Sequence, residues 1–206
     1  MTQIFILGSI GVGKTTLINQ LKTCDKFKNY TIKNEDDIIN NELFKKLYSK
    51  EFDEDFRFEL IAFESRLKSF LNNNYNSISE RSIFDSFYVF IKMKYDQGKI
   101  TEKEYNLFVE YFKLVYEKLK EQKDIIFIHL SCSLETQLER IRNRNREYEN
   151  IEEEYLTCLN SYYENIEKKL KDEIYPSLNS NSKHFYIKFM TDKNENILEK
   201  ICELEI

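Results

Sequence analysis

A chain of 206 residues, 41% apolar and 15% aromatic, holds enough apolar material for one substantial core and is not a disordered protein. Its net charge of −5 argues against a general nucleic-acid binder. The first strand opens at residue 3, leaving no room for a leader, and no apolar run reaches membrane-spanning length, so the expectation is a soluble cytoplasmic protein with one domain over 1–206 and no membrane partner.

Gln3 to Leu7 reads as a short buried strand. It runs into Gly8-Ser9-Ile10-Gly11-Val12-Gly13-Lys14-Thr15-Thr16, where three of the chain's four glycines fall within six positions. The stretch fits G-x-x-x-x-G-K-[ST], the phosphate-binding loop, with a helix opening from Lys14 to Leu21. Loop N–H groups and a helix N-terminus make an anion site. Lys14 is then the partner of the β- and γ-phosphates, and Thr15 that of Mg²⁺. A plain glycine turn between strand and helix is the rival reading, but motif and context agree.

Tyr30–Lys33 reads as a second strand, followed by the acidic run Glu35, Asp36 and Asp37, and 38–50 looks helical. Phe56, Leu60, Phe63, Leu67 and Phe70 mark an amphipathic helix over 55–71. Glu59 and Arg66, seven apart, share one side of it at the margin of the apolar stripe. They suit the edge of a nucleobase, or simply make a surface pair two turns apart. Tyr75–Ser79 reads as a third strand running into Glu80-Arg81-Ser82. Helices over 83–97 and 102–122 are separated at Gly98. Asp124–Leu130 is the clearest buried strand, and Ser133 caps a helix over 133–143. A long helix over 152–171 carries Tyr155, Leu159, Tyr162, Ile166 and Leu170 on one face, which reads as core. His184–Met190 is a fifth strand and Glu195–Cys202 a last helix. Asn72–Asn74 and Ser177–Ser182 are loops. This alternation predicts an α/β protein with a five-stranded parallel sheet flanked by helices on both faces, and the phosphate loop together with the arginine-rich segment late in the chain makes the P-loop kinase fold the expected form of it. Ligands in such folds sit beyond the C-terminal ends of the strands, where the loop, Glu35 and Glu80 fall.

Arg140, Arg142, Arg144 and Arg146 are four of only seven arginines, against 24 lysines. They read either as a solvated basic face or as a mobile clamp on transferring phosphates, a lid over about 140–150. Arginine's scarcity elsewhere favours the clamp, and with it a small-molecule kinase. Glu80 is the best acidic partner for the metal, and Arg81 a cation for the transferring group, unless the two form an exposed ion pair. Glu35 can take a proton from an acceptor hydroxyl. Asp36 and Asp37 suit a helix N-terminus. His129 and His184, each in an apolar strand, read as core residues. Cys24, Cys132, Cys158 and Cys202 form no C-x-x-C pair and read as buried or free thiols.

Together these residues resemble the deoxynucleoside kinase family over nearly the whole chain. Glu80-Arg81-Ser82 looks like its E-R-S motif, continued by Ile83 to Phe90. Arg140 to Arg146 resembles its R-x-x-x-R-x-R lid, followed by Glu149. Tyr48, Glu59 and Arg66 fall at the family's intervals of eleven and seven. The resemblance implies ATP and Mg²⁺ as cofactors, a small-molecule deoxynucleoside as partner, and a homodimer through the aromatic helices 83–97 and 102–122, which a buried core explains equally well. It implies Glu35 as base on the 5′-hydroxyl, Tyr48 and Glu149 on the sugar 3′-hydroxyl, and Phe58, Glu59, Arg66 and Phe90 around the base. Arg81 would stabilise the reacting phosphate, and Arg140, Arg144 and Arg146 would close over ATP. The chain departs from the pattern at Asn145, where glycine is usual, at Asp36, where proline follows the acid, and at Glu59, where glutamine is usual. An ionised Glu59 suits a base edge presenting donors, as guanine does.

Two rivals stand beside this reading. A deoxynucleoside monophosphate kinase such as thymidylate kinase needs cations for an acceptor phosphate, and only Arg57, Arg66 and Arg81 are left to supply them. A nucleotide-binding protein without catalysis is the other. A signalling switch is disfavoured, because neither N-K-x-D nor D-x-x-G occurs.

Overall fold

The structure is a computed structural model that describes residues 2–33, 55–71, 75–119, 124–146, 150–177, 183–192 and 196–204. Five parallel strands form one sheet in the order β2-β3-β1-β4-β5: β1 (Thr2–Leu7), β2 (Thr31–Lys33), β3 (Ser77–Glu80), β4 (Asp124–Ser131) and β5 (His184–Met190). The chain first moves to one side of β1 and then to the other, so β1 lies at the topological switch point where such sheets bind ligands.

The strands alternate with a period of two, and both faces are covered. Ile4 and Ile6 of β1 join Ile126, Ile128 and Leu130 of β4 in one core, closed by α1 (Lys14–Leu21) and α7 (Ile197–Glu203). Phe5 and Leu7 join Ile125 and Phe127 in the other. Four elements cover that second face. They are α2 (Asp55–Leu71), α3 (the segments Ile83–Asp85, Ser86–Ile91 and Lys92–Asp96), α4 (Glu102–Leu119) and α6 (Glu153–Lys169). A shorter helix, α5 (Leu134–Arg144), follows β4 and is capped by Ser133 as expected.

Two readings of the helices change. The span 83–97 is not one regular helix, because its middle segment, Ser86–Ile91, is π-helical. Such a bulge re-aims side chains within a helix, and here it lies between Arg81 and Lys94. On α6 and the π-helical turn that follows it, Leu170–Ile174, the residues Leu159, Ile166 and Leu170 are buried as expected, but Tyr155 and Tyr162 are only half-buried. Tyr163 is the buried tyrosine, 2% exposed, with its hydroxyl donating to Asp85 at 2.8 Å. The aromatic residues of α3 and α4 mostly serve the core: Phe87 stacks on Phe112 at 4.0 Å, while Leu107 and Leu114 stay exposed. The four cysteines are free thiols, and those of Cys24 and Cys202 touch where α7 docks beside α1. No helix among the described residues is long and apolar enough to cross a membrane.

His129 is a core residue, as its strand implies, bonded through Nδ1 to the Tyr186 hydroxyl at 2.5 Å. Burial, then Lys188 and Lys14, push its pKa down to about 3. Below pH ~6.5 the unfolded chain therefore takes up a proton that the folded protein refuses. Stability present above pH ~6.5 is lost as the pH falls towards 3, by up to about 1.4 kcal/mol per pH unit. Urea titrations should show this residue removing roughly 2 kcal/mol between pH 6.5 and 5. His129→Asn should flatten that fall, and an equally steep fall in the variant would show that another group is responsible.

Candidate active site

The phosphate loop leaves β1 with Gly8, Gly11 and Gly13 all at positive φ. Gly8 is held hardest: a Cβ there would stand 2.3 Å from the Leu130 carbonyl oxygen. Gly13, at φ 94°, caps α1 in the left-handed region and turns the loop into the helix. Ser9 and Val12 are buried, and Ile10 packs against the core. Thr16 is exposed.

Register brings the acidic partner in. β1 pairs Ile6 with Glu80, so the end of β3 lies beside the start of the loop. Thr15 Oγ1 donates to Glu80 Oε2 at 3.0 Å, and Lys14 Nζ lies 3.7 Å from Glu80 Oε1. Lys14 is 5% exposed and donates to the Ser9 carbonyl at 2.7 Å. A hydroxyl and a carboxylate side by side are the hard oxygen donors that Mg²⁺ takes, usually with one or two carboxylates and the substrate's own phosphates.

Arg81 follows in the left-handed region, φ 61°, a conformation uncommon outside glycine that tends to mark functional sites. Its backbone N–H donates to the Ile6 carbonyl at 2.9 Å. Ser82 caps α3 through a reciprocal box with Asp85, which accepts from the Ser82 N–H at 2.8 Å and its hydroxyl at 2.7 Å. The fully buried Asp85 carboxyl is pushed up by burial, while Arg66, Ser82, Arg81 and Tyr163 pull it down. The Arg81 and Arg66 guanidinium groups lie over the Phe90 ring, at 4.8 and 5.4 Å. Arg66 also donates to the Ser86 hydroxyl at 2.5 Å.

Glu59 and Arg66 are thus not a surface pair, being 2% and 8% exposed in the seam between α2 and α3. The ion partner of Glu59 is Lys94 of α3, at 2.9 Å, and Lys94 also lies over the Phe58 ring at 5.0 Å. Glu35, Tyr48 and Glu149 lie outside the described residues.

The arginine cluster divides. Arg140 donates to Gly11 O at 3.3 Å, Thr191 Oγ1 at 2.8 Å and Thr191 O at 3.0 Å, while Thr191 Oγ1 donates to Val12 O at 3.0 Å. It therefore ties α5 and the end of β5 to the phosphate loop. Arg144 closes α5, Asn145 stands in the left-handed conformation at φ 41°, and Arg146 follows, both arginines being exposed. Asparagine is the side chain that best tolerates that conformation after glycine, which accounts for the departure there. Sequence reasoning missed Thr191, Asp85, Ser86 and Lys94. Only Asp85 carried a signal, three residues beyond Ser82 in the capping position.

Comparison with known proteins shows the family of the chain. A family model described as deoxynucleoside kinase matches residues 4–204. The chain is 34% identical over 167 residues to a probable deoxycytidine kinase of fowlpox virus, covering 79% of this chain and 70% of that one. It is 30% identical over 168 residues to a deoxyadenosine kinase of Dictyostelium discoideum, covering 79% and 66%. A solved structure of deoxyadenosine kinase from M. mycoides with bound dATP superposes with a TM-score of 0.71 at 25% identity, over 97% of this chain and 96% of that one. The chain therefore belongs to the deoxynucleoside kinase family, transferases that phosphorylate a hydroxyl group.

Proposed function

We propose that this chain transfers the γ-phosphoryl group of ATP, with Mg²⁺, to the 5′-hydroxyl of a deoxynucleoside. One observation carries the reading. A continuous line of contacts runs from Lys14 and Thr15 through Glu80 to the neighbouring Arg81, then across Phe90 to Arg66, on the helix that carries Glu59. It joins a phosphate loop to a buried polar seam that suits a nucleobase.

In this reading Lys14 and the loop N–H groups hold the β- and γ-phosphates, and Arg81 offsets the charge that develops on the transferring group. Thr15 and Glu80 would hold Mg²⁺, which when bound neutralises phosphate charge. Glu35 accepts the 5′-hydroxyl proton, and Tyr48 and Glu149 hold the 3′-hydroxyl. These three roles rest on the family resemblance. Phe58, Glu59, Arg66 and Phe90 surround the base. Arg144 and Arg146 form the lid over ATP, and Arg140 steadies the loop beneath it. A homodimer belongs to the same reading, with exposed Leu107 and Leu114 of α4 as apolar residues suited to its interface. Light scattering tests that.

The deciding experiment offers ATP with each natural deoxynucleoside and each deoxynucleoside monophosphate. The expected product is a monophosphate made from a nucleoside. Phosphorylation of monophosphates alone would overturn the reading. Thr191→Val removes two hydrogen bonds at the loop, worth about 1 kcal/mol each. It should raise KM for ATP between about fivefold and thirtyfold, and an unchanged KM would show that the strut does not shape the loop.

A further inference from the structure

Beyond the phosphate loop, the seam between α2 and α3 holds a second cluster of charges. Lys94 is 9% exposed. Its ammonium stands 2.9 Å from Glu59 Oε1, 2.9 Å from Asp55 Oδ1 and 3.5 Å from the Asp55 carbonyl oxygen. An ammonium has three hydrogens, and these three oxygens take its three directions. Lys94 is therefore turned towards α2. Burial opposes its charge, but Glu59 and Asp55 outweigh that and hold the ammonium above the ordinary lysine range. Glu59 meets Lys94 through one oxygen, Oε1. The carboxylate of an ion pair accepts hydrogen bonds and donates none.

Position makes this pair relevant to the substrate. Lys94 lies four residues, one helical turn, beyond Phe90, whose ring faces Arg66 and Arg81. Glu59 is two turns before Arg66 on α2, about 10 Å along the axis. The pair thus stands at the end of the contact line remote from the phosphates. A neutral amide there would offer both a donor and an acceptor, whereas Glu59 backed by Lys94 offers acceptors alone.

We propose that Lys94 is a positioning residue for base selection. By engaging one oxygen of Glu59, it leaves the other as a fixed acceptor for a base edge with adjacent N–H donors, such as N1–H and N2–H₂ of guanine. The same arrangement rejects an edge whose ring nitrogen is itself an acceptor, as in adenine and cytosine, because two acceptors then face each other without a proton. The proposal rests on the deoxynucleoside kinase reading of the site.

The test is kcat/KM with ATP for the four natural deoxynucleosides on the wild type, Lys94→Met, Glu59→Gln and the double variant. Deoxyguanosine should be the best wild-type substrate. Lys94→Met should lower the deoxyguanosine-to-deoxyadenosine ratio about tenfold or more, the effect of one misassigned buried hydrogen bond. In the Glu59→Gln background, where no counter-charge is needed, Lys94→Met should change the ratio less than about twofold. Equal effects in both backgrounds, or an equal loss for all four bases, would show a structural role and overturn the proposal. So would a wild type that prefers another base. Should Lys94→Met not fold, Glu59→Gln alone decides: the ratio must fall about tenfold, and an unchanged ratio overturns the proposal. A wild type that phosphorylates no nucleoside refutes the kinase reading itself, a result distinct from any change in selectivity.

Discussion

Replacing Arg81 with glutamine lowers kcat for a deoxynucleoside by about 10²–10³-fold, while KM for ATP changes little. Arg81 directly follows Glu80, which touches both Lys14 and Thr15, and its backbone N–H bonds to Ile6 of β1, the strand that runs into the phosphate loop. It is 9% exposed and set against Phe90, which fixes it before the reaction begins. A preorganised cation in a dry site stabilises developing charge without reorganising, which is why its loss falls on turnover. The fold should survive. The backbone N–H of Arg81 bonds to Ile6 whatever the side chain, and the Ser82–Asp85 box holds the next residue. Arg81→Lys keeps the charge but not the planar fork, and should recover only part of the rate. Single-turnover kinetics check this. A glutamine variant within about threefold of the wild type would remove Arg81 from the transferring group.

The second large effect is on the fold and the loop together. Gly8→Ala should destabilise the protein by about 3 kcal/mol or more and lower its Tm by roughly 6–12 °C. The added Cβ would stand 2.3 Å from the Leu130 carbonyl oxygen and 2.9 Å from Val12 Cγ2, at a φ of +137°. Neither neighbour can retreat cheaply, because Leu130 belongs to β4, which is paired with β1 on one side and β5 on the other, and Val12 is buried in the core. Gly98→Ala is the control. Its φ is +69°, but nothing lies within 4 Å, so only the backbone preference is lost, about 1 kcal/mol. Thermal melts with and without ATP separate the effects. The Gly8 variant should also lose its stabilisation by nucleotide, and a variant that melts like Gly98→Ala would show that the loop can relax.

The five strands and the described helices lie within a few residues of where apolar periodicity puts them, because the central strands β1 and β4 bury nearly every residue and the amphipathic helices turn an apolar stripe to the sheet. The phosphate loop was legible for a different reason. Its chemistry is local, written in the backbone freedom of three glycines and the two side chains after them. Glu80 could be singled out as an acidic strand end, but its bond to Thr15 depends on the register of β1 with β3, a pairing of segments more than seventy residues apart.

Long-range geometry accounts for what reading along the chain left undecided. Arg140 belongs to an arginine run that reads as a clamp, yet the end of β5 supplies Thr191 to hold it against Gly11. Glu59 read as paired with Arg66 along its own helix until α3 placed Lys94 beside it, 35 residues on and past a π-helical segment. Lys94 carries no mark in a lysine-rich chain, since one lysine among 24 is distinguished only by burial. The local code was sufficient for a phosphate loop, a parallel sheet and a family resemblance, because these rest on neighbours in sequence and on periodicity. Which charges meet inside the seam, and so which hydrogen bonds a base can make there, follows from the packing of α2 on α3, where burial makes each pairing count.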